Sequence, residues 1–250
     1  MIAASTGNHG QSVAYAARLF GVAAVICAPA RANRVKVASM RELGAEVVLD
    51  GADYDEAREH CEELARRHGY RYIHSGNEPL LIAGVATSSL EALEAQPGLD
   101  VMIVPIGGGS GASGACLVAR AVNPQLQVIG VQSAQAPAAY RSWREGRLVG
   151  AENRTAVEGL STATAFELPQ RMLREHLDDF ILVEDDELLK ATAAMVEYTR
   201  TLVEPAGASA LAGALRLRER LAGKRVALVC SGANITPEQL REVLVQASAG

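Results

Sequence analysis

The sequence predicts an α/β protein with two lobes of parallel sheet and flanking helices, and two observations carry this. Short apolar runs of Val, Ile and Leu recur along the chain, separated by helical stretches of 10 to 15 residues. That alternation implies parallel strands joined by crossover helices, with both sheet faces covered. A polar break at residues 75–79 divides the rhythm. It suggests a small α/β domain over 1–77 and a larger one over 78–250, with a single larger sheet as the alternative.

Each element follows in order. Residues 11–20 have helical periodicity and stop at Gly21, and VAAVICAP, bounded by Pro29, reads as a buried strand. Residues 34–43 form an amphipathic helix ended by Gly44, AEVVLD a strand, residues 54–68 a charged helix and RYIHS a short strand. Beyond the break come a helix over 80–94, the strand DVMIVPI, a helix over 111–121 and the strand QVIGVQS. Residues 134–179 carry Pro, Gly and polar positions without clear periodicity. FILVEDDELLKA then opens a strand and helix, residues 206–221 read as a helix rich in Ala and Leu, and RVALVCSGAN is a last strand with a glycine turn.

Composition narrows the partners. The chain has 250 residues, 49% of them hydrophobic, and a formal net charge of −5, so it holds enough apolar mass for a sizeable core. The 24 Lys and Arg residues are scattered, and without a basic stripe no nucleic-acid partner is expected. No apolar run approaches the roughly 20 residues that span a bilayer, so no membrane is expected, and the expected location is cytoplasmic. Cys27, Cys61, Cys116 and Cys230 form no CxxC pair and read as free thiols. HExxH, GxSxG and close His/Cys clusters are absent from the sequence. The acidic run at 184–187 reads as the solvated start of a helix, and His60, His68, His74 and His176 as surface or core-edge residues.

Two loops carry chemistry. In VPIGGGSG a strand leads through Gly107, Gly108, Gly109, Ser110 and Gly111 into a helix. Glycines let backbone approach a ligand, and a helix N-terminus adds free N–H donors and partial positive charge, so this reads as a phosphate cradle. The plain alternative is a tight strand-to-helix turn. Gly109, Gly111 and Gly114 also satisfy GxGxxG, but the next strand ends in Gln132 and Ser133, where a dinucleotide fold places an acid for the ribose. A smaller phosphorylated cofactor fits better than a nicotinamide. The other loop, ASTGNHGQ, precedes the first helix.

With CSGAN after the last strand, these three motifs resemble the second structural class of pyridoxal phosphate enzymes, whose fold is tryptophan synthase β-like. Within it the chain is similar to the threonine/serine dehydratases, or ammonia-lyases, relatives of serine racemase. The resemblance implies pyridoxal 5'-phosphate as cofactor and a small amino acid as substrate: L-threonine, L-serine or a similar β-hydroxy amino acid such as 3-hydroxyaspartate, converted to a 2-oxo acid and ammonia. It implies that Asn8 meets the ring hydroxyl, that residues 107–111 hold the phosphate and that Ser231 faces the pyridine nitrogen. The resemblance also implies that Ser5, Thr6, Gly7 and His9 line the substrate carboxylate pocket. Thr6 stands where racemases of the group carry a catalytic serine, which keeps amino-acid racemisation open, and the alternative is that Thr6 caps the following helix.

Further carry-overs are Arg58 on the substrate carboxylate, Glu204 beside the cofactor, and Glu152, Glu158 and the Ala156 carbonyl as ligands of Mg²⁺ or another cation. Solvated charges and an ordinary acidic loop are the alternatives. A homo-oligomer, dimer or tetramer, is implied as well. The family's covalently bonding lysine stands in a Ser-x-Lys setting well before the first loop, whereas only five residues precede Thr6. Lys36, Lys190 and Lys224 do not match that setting; Lys36 reads as part of a charged helix. The expectation is an N-terminally truncated reading, missing part of the larger lobe and inactive as given. A protein that binds pyridoxal phosphate or an amino acid without catalysis is the other class.

Overall fold

The computed structural model of the protein describes residues 1–248. The chain divides into two compact units, Met1–Glu78 and Pro79–Gly250, one residue from the boundary read in the sequence.

The first unit is a three-stranded parallel sheet, β1 (Ile2–Ala4), β2 (Val25–Ala28) and β3 (Glu46–Leu49), in the order β1-β2-β3, with α1 (Asn8–Leu19), α2 (Arg34–Glu42) and α3 (Tyr54–His68). The starts of α2 and α3 are set by side chains. Asn33 Oδ1 accepts the Val35 N–H at 3.0 Å, and Asp53 Oδ1 accepts the Glu56 N–H at 3.0 Å. α3 ends at Gly69 in the left-handed region, φ 67°, which a Cβ would oppose. Both sheet faces are buried: Ala3 and Ile26 pack with Val13, Val37 and Met40, and Ile2, Ala4 and Cys27 with Cys61 and Ala65. Lys36 lies in α2 as expected, yet only 3% of it is exposed, because it shares the inward face with Val37 and Met40. RYIHS contributes one parallel bridge, Tyr72 to Ile2, at the outer edge of β1.

The second unit is a parallel sheet of β4 (Val101–Pro105), β5 (Gln127–Ser133), β6 (Asp179–Val183) and β7 (Val226–Leu228), ordered β6-β5-β4-β7. Its helices are α4 (Pro79–Ala95), α5 (Ser110–Val122), α6 (Ala138–Glu145), α7 (Glu167–His176), α8 (Asp185–Ala194), α9 (Pro205–Arg216), α10 (Arg218–Leu221) and α11 (Pro237–Ser248). Met102, Val104 and Val128 face Ala115, Ala119 and Leu173 on one side, while Val101, Ile103, Ile129 and Val131 face Leu188, Ala191 and Ala210 on the other. Strands covered on both faces explain the near-continuous apolar runs.

Several elements differ from the sequence reading. β1 is an apolar triplet at the edge of the motif loop. α6 and α7 occupy the stretch read as irregular, where Pro137 caps α6 and Pro169 sits in the first turn of α7, a position that tolerates it. α11 follows the CSGAN turn. The helix over 206–221 is two helices that meet at Leu217. A one-turn π-helix, Met195–Thr199, ends at Arg200 with φ 58°, a left-handed backbone on a non-glycine residue.

Candidate active site

In the first unit the loop that follows β1 is shaped by its own side chains. Buried Ser5 uses Oγ to accept the Gly7 N–H at 3.0 Å, and Gly7 O takes the Gln11 N–H. Gly7, not Thr6, is the cap residue of α1, and no side chain caps this helix, which removes the capping role weighed for Thr6. The N–H groups of the first turn of α1 precede the first intrahelical bond, Gln11 N–H to Gly7 O, and a helix N-terminus of this kind suits a carboxylate. Gly10 lets α1 cross close to the sheet, since a Cβ there would lie 2.5 Å from Met40 Sδ and 3.0 Å from Ile26.

His9 sits in that first turn and bonds the Ile73 carbonyl through Nε2 at 2.8 Å. Burial lowers its pKa, against a smaller upward pull from the bond to Ile73. A neutral ring donates to that carbonyl, so His9 orients the loop rather than adding charge to it. His74 is tied more tightly than the sequence suggested. Its Nδ1 accepts the N–H groups of Gly76 and Asn77 at 2.9 and 3.0 Å, and burial, followed by the Arg58 charge, brings its pKa down to about 4. A histidine two residues before a glycine was the available signal. Arg58 is held within α3 by Glu62 at 2.7 Å and Asp55 at 3.6 Å. Its charge acts on His74.

In the second unit the glycine loop links β4 to α5. Ile106 N–H bonds Val131 O, and Ser113 N–H bonds Gly109 O, the first bond of the helical ladder. The donors of Ser110, Gly111 and Ala112 precede it at the helix N-terminus, with the positive end of the helix dipole behind them. Gly109 is left-handed, φ 92°. Close packing demands Gly107 and Gly108, where a Cβ would stand 2.4 Å from Gly159 O and 2.6 Å from the Phe166 ring, while a Cβ on Gly111 would meet open space.

That packing draws three more segments to the cradle. Gly159 lies in a 3₁₀ turn, Glu158–Leu160, and a Cβ on it would stand 2.6 Å from Ala206 Cβ and 3.8 Å from Glu204 Oε1. Gly207 packs on Gly232, whose carbonyl accepts the Glu204 N–H at 3.1 Å. Residues 107–111, Glu204 and the segment after β7 that carries Ser231 are therefore brought together. Glu204 is 5% exposed and Ser231 exposed. Burial raises the Cys230 thiol, and the Glu204 charge raises it further.

The cradle fits a phosphate. Small glycine surfaces, helix-terminal donors and a neighbouring hydroxyl are the donor set that a phosphorylated aromatic cofactor needs.

A family model, "Pyridoxal-phosphate dependent enzyme", matches residues 1–232. The chain belongs to this family. It is 35% identical over 245 residues to an L-threonine ammonia-lyase of Thermotoga maritima, covering 98% of this chain and 61% of that protein. Among solved structures it resembles threonine deaminase isoform 2 of Solanum lycopersicum, with TM-score 0.94, 30% identity, and coverage of 100% of this chain and 70% of that one. It also resembles maize serine racemase, with TM-score 0.90, 28% identity, and coverage of 100% and 77%. The chain spans about 61% of the length of the first curated relatives it matches.

As a member of the pyridoxal phosphate family, the chain uses an α/β fold with parallel sheets and flanking helices, as read from the sequence. The residues expected at a cation site lie apart in their bonding. Glu152 is exposed and pairs with Arg154 at 3.6 Å, Glu158 accepts the Gln239 amide at 3.2 Å, and the Ala156 N–H bonds Asp185. Among the described residues no three His, Cys, Asp or Glu side chains gather as a metal site. Of the lysines, Lys36 lies in α2, Lys190 on α8, and Lys224 Nζ bonds Gln127 Oε1 at 3.2 Å. No described helix is long and apolar enough to cross a membrane.

Proposed function

We propose that the chain is part of an ammonia-lyase that converts L-threonine, L-serine or a similar β-hydroxy amino acid, 3-hydroxyaspartate included, into a 2-oxo acid and ammonia, and that without the family's lysine the chain as given is inactive. The observation that carries this reading is the cradle of residues 107–111, packed on Gly159 and α9, in a chain similar to threonine ammonia-lyases. Bound pyridoxal phosphate supplies an electron sink for charge developing at the substrate Cα. Ser110, Gly111 and Ala112 donate backbone N–H groups to its phosphate, and Ser231 presents a neutral hydroxyl to its ring nitrogen. Asn8 meets the ring hydroxyl, and Glu204 adds negative charge nearby. The substrate carboxylate is met by Ser5, Thr6 and Gly7, with neutral His9 orienting that loop, and Arg58 adds positive charge at its side.

Proton removal needs an amine in the position the family gives to its lysine, a setting that Lys36, Lys190 and Lys224 do not match. The test is assay of the complete protein on a panel of β-hydroxy amino acids, scoring 2-oxo acid and ammonia. Turnover of one or more of them supports the reading. Tight pyridoxal phosphate binding with no product on any of them would assign the protein to non-catalytic binding instead. Racemisation is the second reading, favoured by Thr6, whose hydroxyl is not spent on capping α1. Inversion of L-serine without 2-oxo acid, lost in Thr6→Val, would establish it.

The proposal includes a cytoplasmic dimer or tetramer, checked by sedimentation. It also includes Mg²⁺ or another oxygen-seeking cation on Glu152, Glu158 and the Ala156 carbonyl, with water completing the shell. A rise in thermal midpoint on Mg²⁺ addition, lost in Glu158→Gln, checks this last point.

A further inference from the structure

The acidic run at 184–187 starts α8 as read, with Glu184 and Asp186 exposed and Asp185 and Glu187 partly buried. Glu184 and Glu187 form a capping box, and Glu187 pairs with Arg216 at 2.5 Å. Asp185, between them, gathers groups from two other segments, 133–135 and 155–156. Its Oδ1 accepts Ser133 Oγ at the buried end of β5, at 2.5 Å. Its Oδ2 accepts Thr155 Oγ1 at 2.7 Å and the Ala156 N–H at 3.3 Å, while its own N–H donates to Gln135 Oε1 at 3.1 Å. Thr155 Oγ1 in turn accepts the Val157 N–H at 3.1 Å, and Val157 O closes the 3₁₀ turn by taking the Leu160 N–H at 2.9 Å. The carbonyl of Gly159, inside that turn, occupies the space a Gly107 side chain would need.

An unbroken path of hydrogen bonds and one steric contact therefore runs from a single carboxylate to the glycine loop. We propose that Asp185 is a positioning residue for the phosphate cradle, holding the segment 155–160 so that Gly159 walls the Gly107 side of the loop. This rests on the reading of residues 107–111 as the phosphate site. A carboxylate suits the task because it accepts three bonds at once and offers no donor to repel them. An outer residue of this kind acts through the groups it orients.

The test compares Asp185→Asn, which keeps the shape and loses one acceptor oxygen, with Thr155→Val and Thr155→Ser in the full chain. Two readouts are taken: amide hydrogen exchange, and pyridoxal phosphate affinity by equilibrium dialysis with inorganic phosphate as competitor. D185N and T155V are expected to speed exchange at residues 157–160 and 107–112 and to weaken cofactor affinity roughly 10-fold. T155S is expected to restore both. The double variant D185N/T155V is expected to be no weaker than the worse single one, since the two groups lie on one path. Faster exchange confined to the start of α8 and to residues 133–135, with wild-type exchange at 107–112, would overturn the proposal, as would unchanged cofactor affinity in both single variants. If the wild-type chain bound neither pyridoxal phosphate nor phosphate, the functional reading would fail, and exchange alone would still decide whether Asp185 holds the loop.

Discussion

Gly107→Ala places a methyl group where the structure has a backbone carbonyl. The new Cβ would lie 2.4 Å from Gly159 O, about 1 Å inside ordinary contact. Backbone lies on both sides of the clash, so no side chain can swing away, and either the glycine loop or the 3₁₀ turn must move by that distance. Overpacking of this kind costs about 1–3 kcal/mol. For a chain of this size each kcal/mol lowers the thermal midpoint by about 2–4 °C, so the expected fall is about 2–12 °C. Displacing the loop also misaims donors that meet a phosphate. Loss of one charge-assisted hydrogen bond, about 1.5–3 kcal/mol, corresponds to roughly 10- to 100-fold weaker pyridoxal phosphate binding. Differential scanning fluorimetry and equilibrium dialysis measure the two effects. Gly114→Ala is the control: its Cβ would press on the Ala86 backbone at 2.9 Å, away from the loop, so stability should fall with cofactor affinity kept. Wild-type melting and wild-type affinity in G107A would refute the packing argument.

Three other outcomes are expected. Arg200→Gly relieves a left-handed non-glycine backbone at an exposed position, a strain of about 1 kcal/mol or more, partly offset by glycine's extra freedom when unfolded. The midpoint should rise by up to about 4 °C, and a clear fall would contradict the account. His74 has a folded pKa of about 4 against an ordinary 6.5, so the unfolded chain binds more protons between those values. Stability is full above pH 6.5 and declines by about 2 kcal/mol on acidification to pH 4, after allowance for screening by water. Urea titrations at several pH values should show this slope flattened in His74→Gln. Native thiol labelling, followed by mass spectrometry, should modify exposed Cys230 and spare buried Cys27, Cys61 and Cys116. The rate should climb with pH, because burial and the Glu204 charge raise the Cys230 thiol. Equal labelling of Cys61 would disprove the burial of the first unit's core.

Fold class and both motif loops were legible because they depend on local pattern. Apolar runs of strand length between helical periods admit few arrangements other than parallel strands with crossovers. Three glycines between strand and helix mark a close backbone approach wherever they fold. β1, α6, α7 and α11 were not legible, because a three-residue strand and proline-bearing first turns carry too little periodicity. The glycines at 159 and 207 also gave no sequence signal as partners of the cradle, although each is indispensable to its packing. Their partners, Gly107 and Gly232, are distant in sequence.

The same distinction governs the charged residues. From sequence alone, Asp185 is one of four acids at a helix start, Lys36 one charge in a polar helix and Thr6 a plausible cap. Tertiary structure decided otherwise for all three: Asp185 meets Ser133, Thr155 and Ala156; Lys36 is buried beside Val37 and Met40; and Gly7 takes the cap. The physical reason is the range of the forces. Hydrophobic period and glycine stereochemistry act within a few residues and are written in the chain. A carboxylate's partners are chosen by how strands, turns and helix ends converge, and that convergence exists only once the sheet has formed.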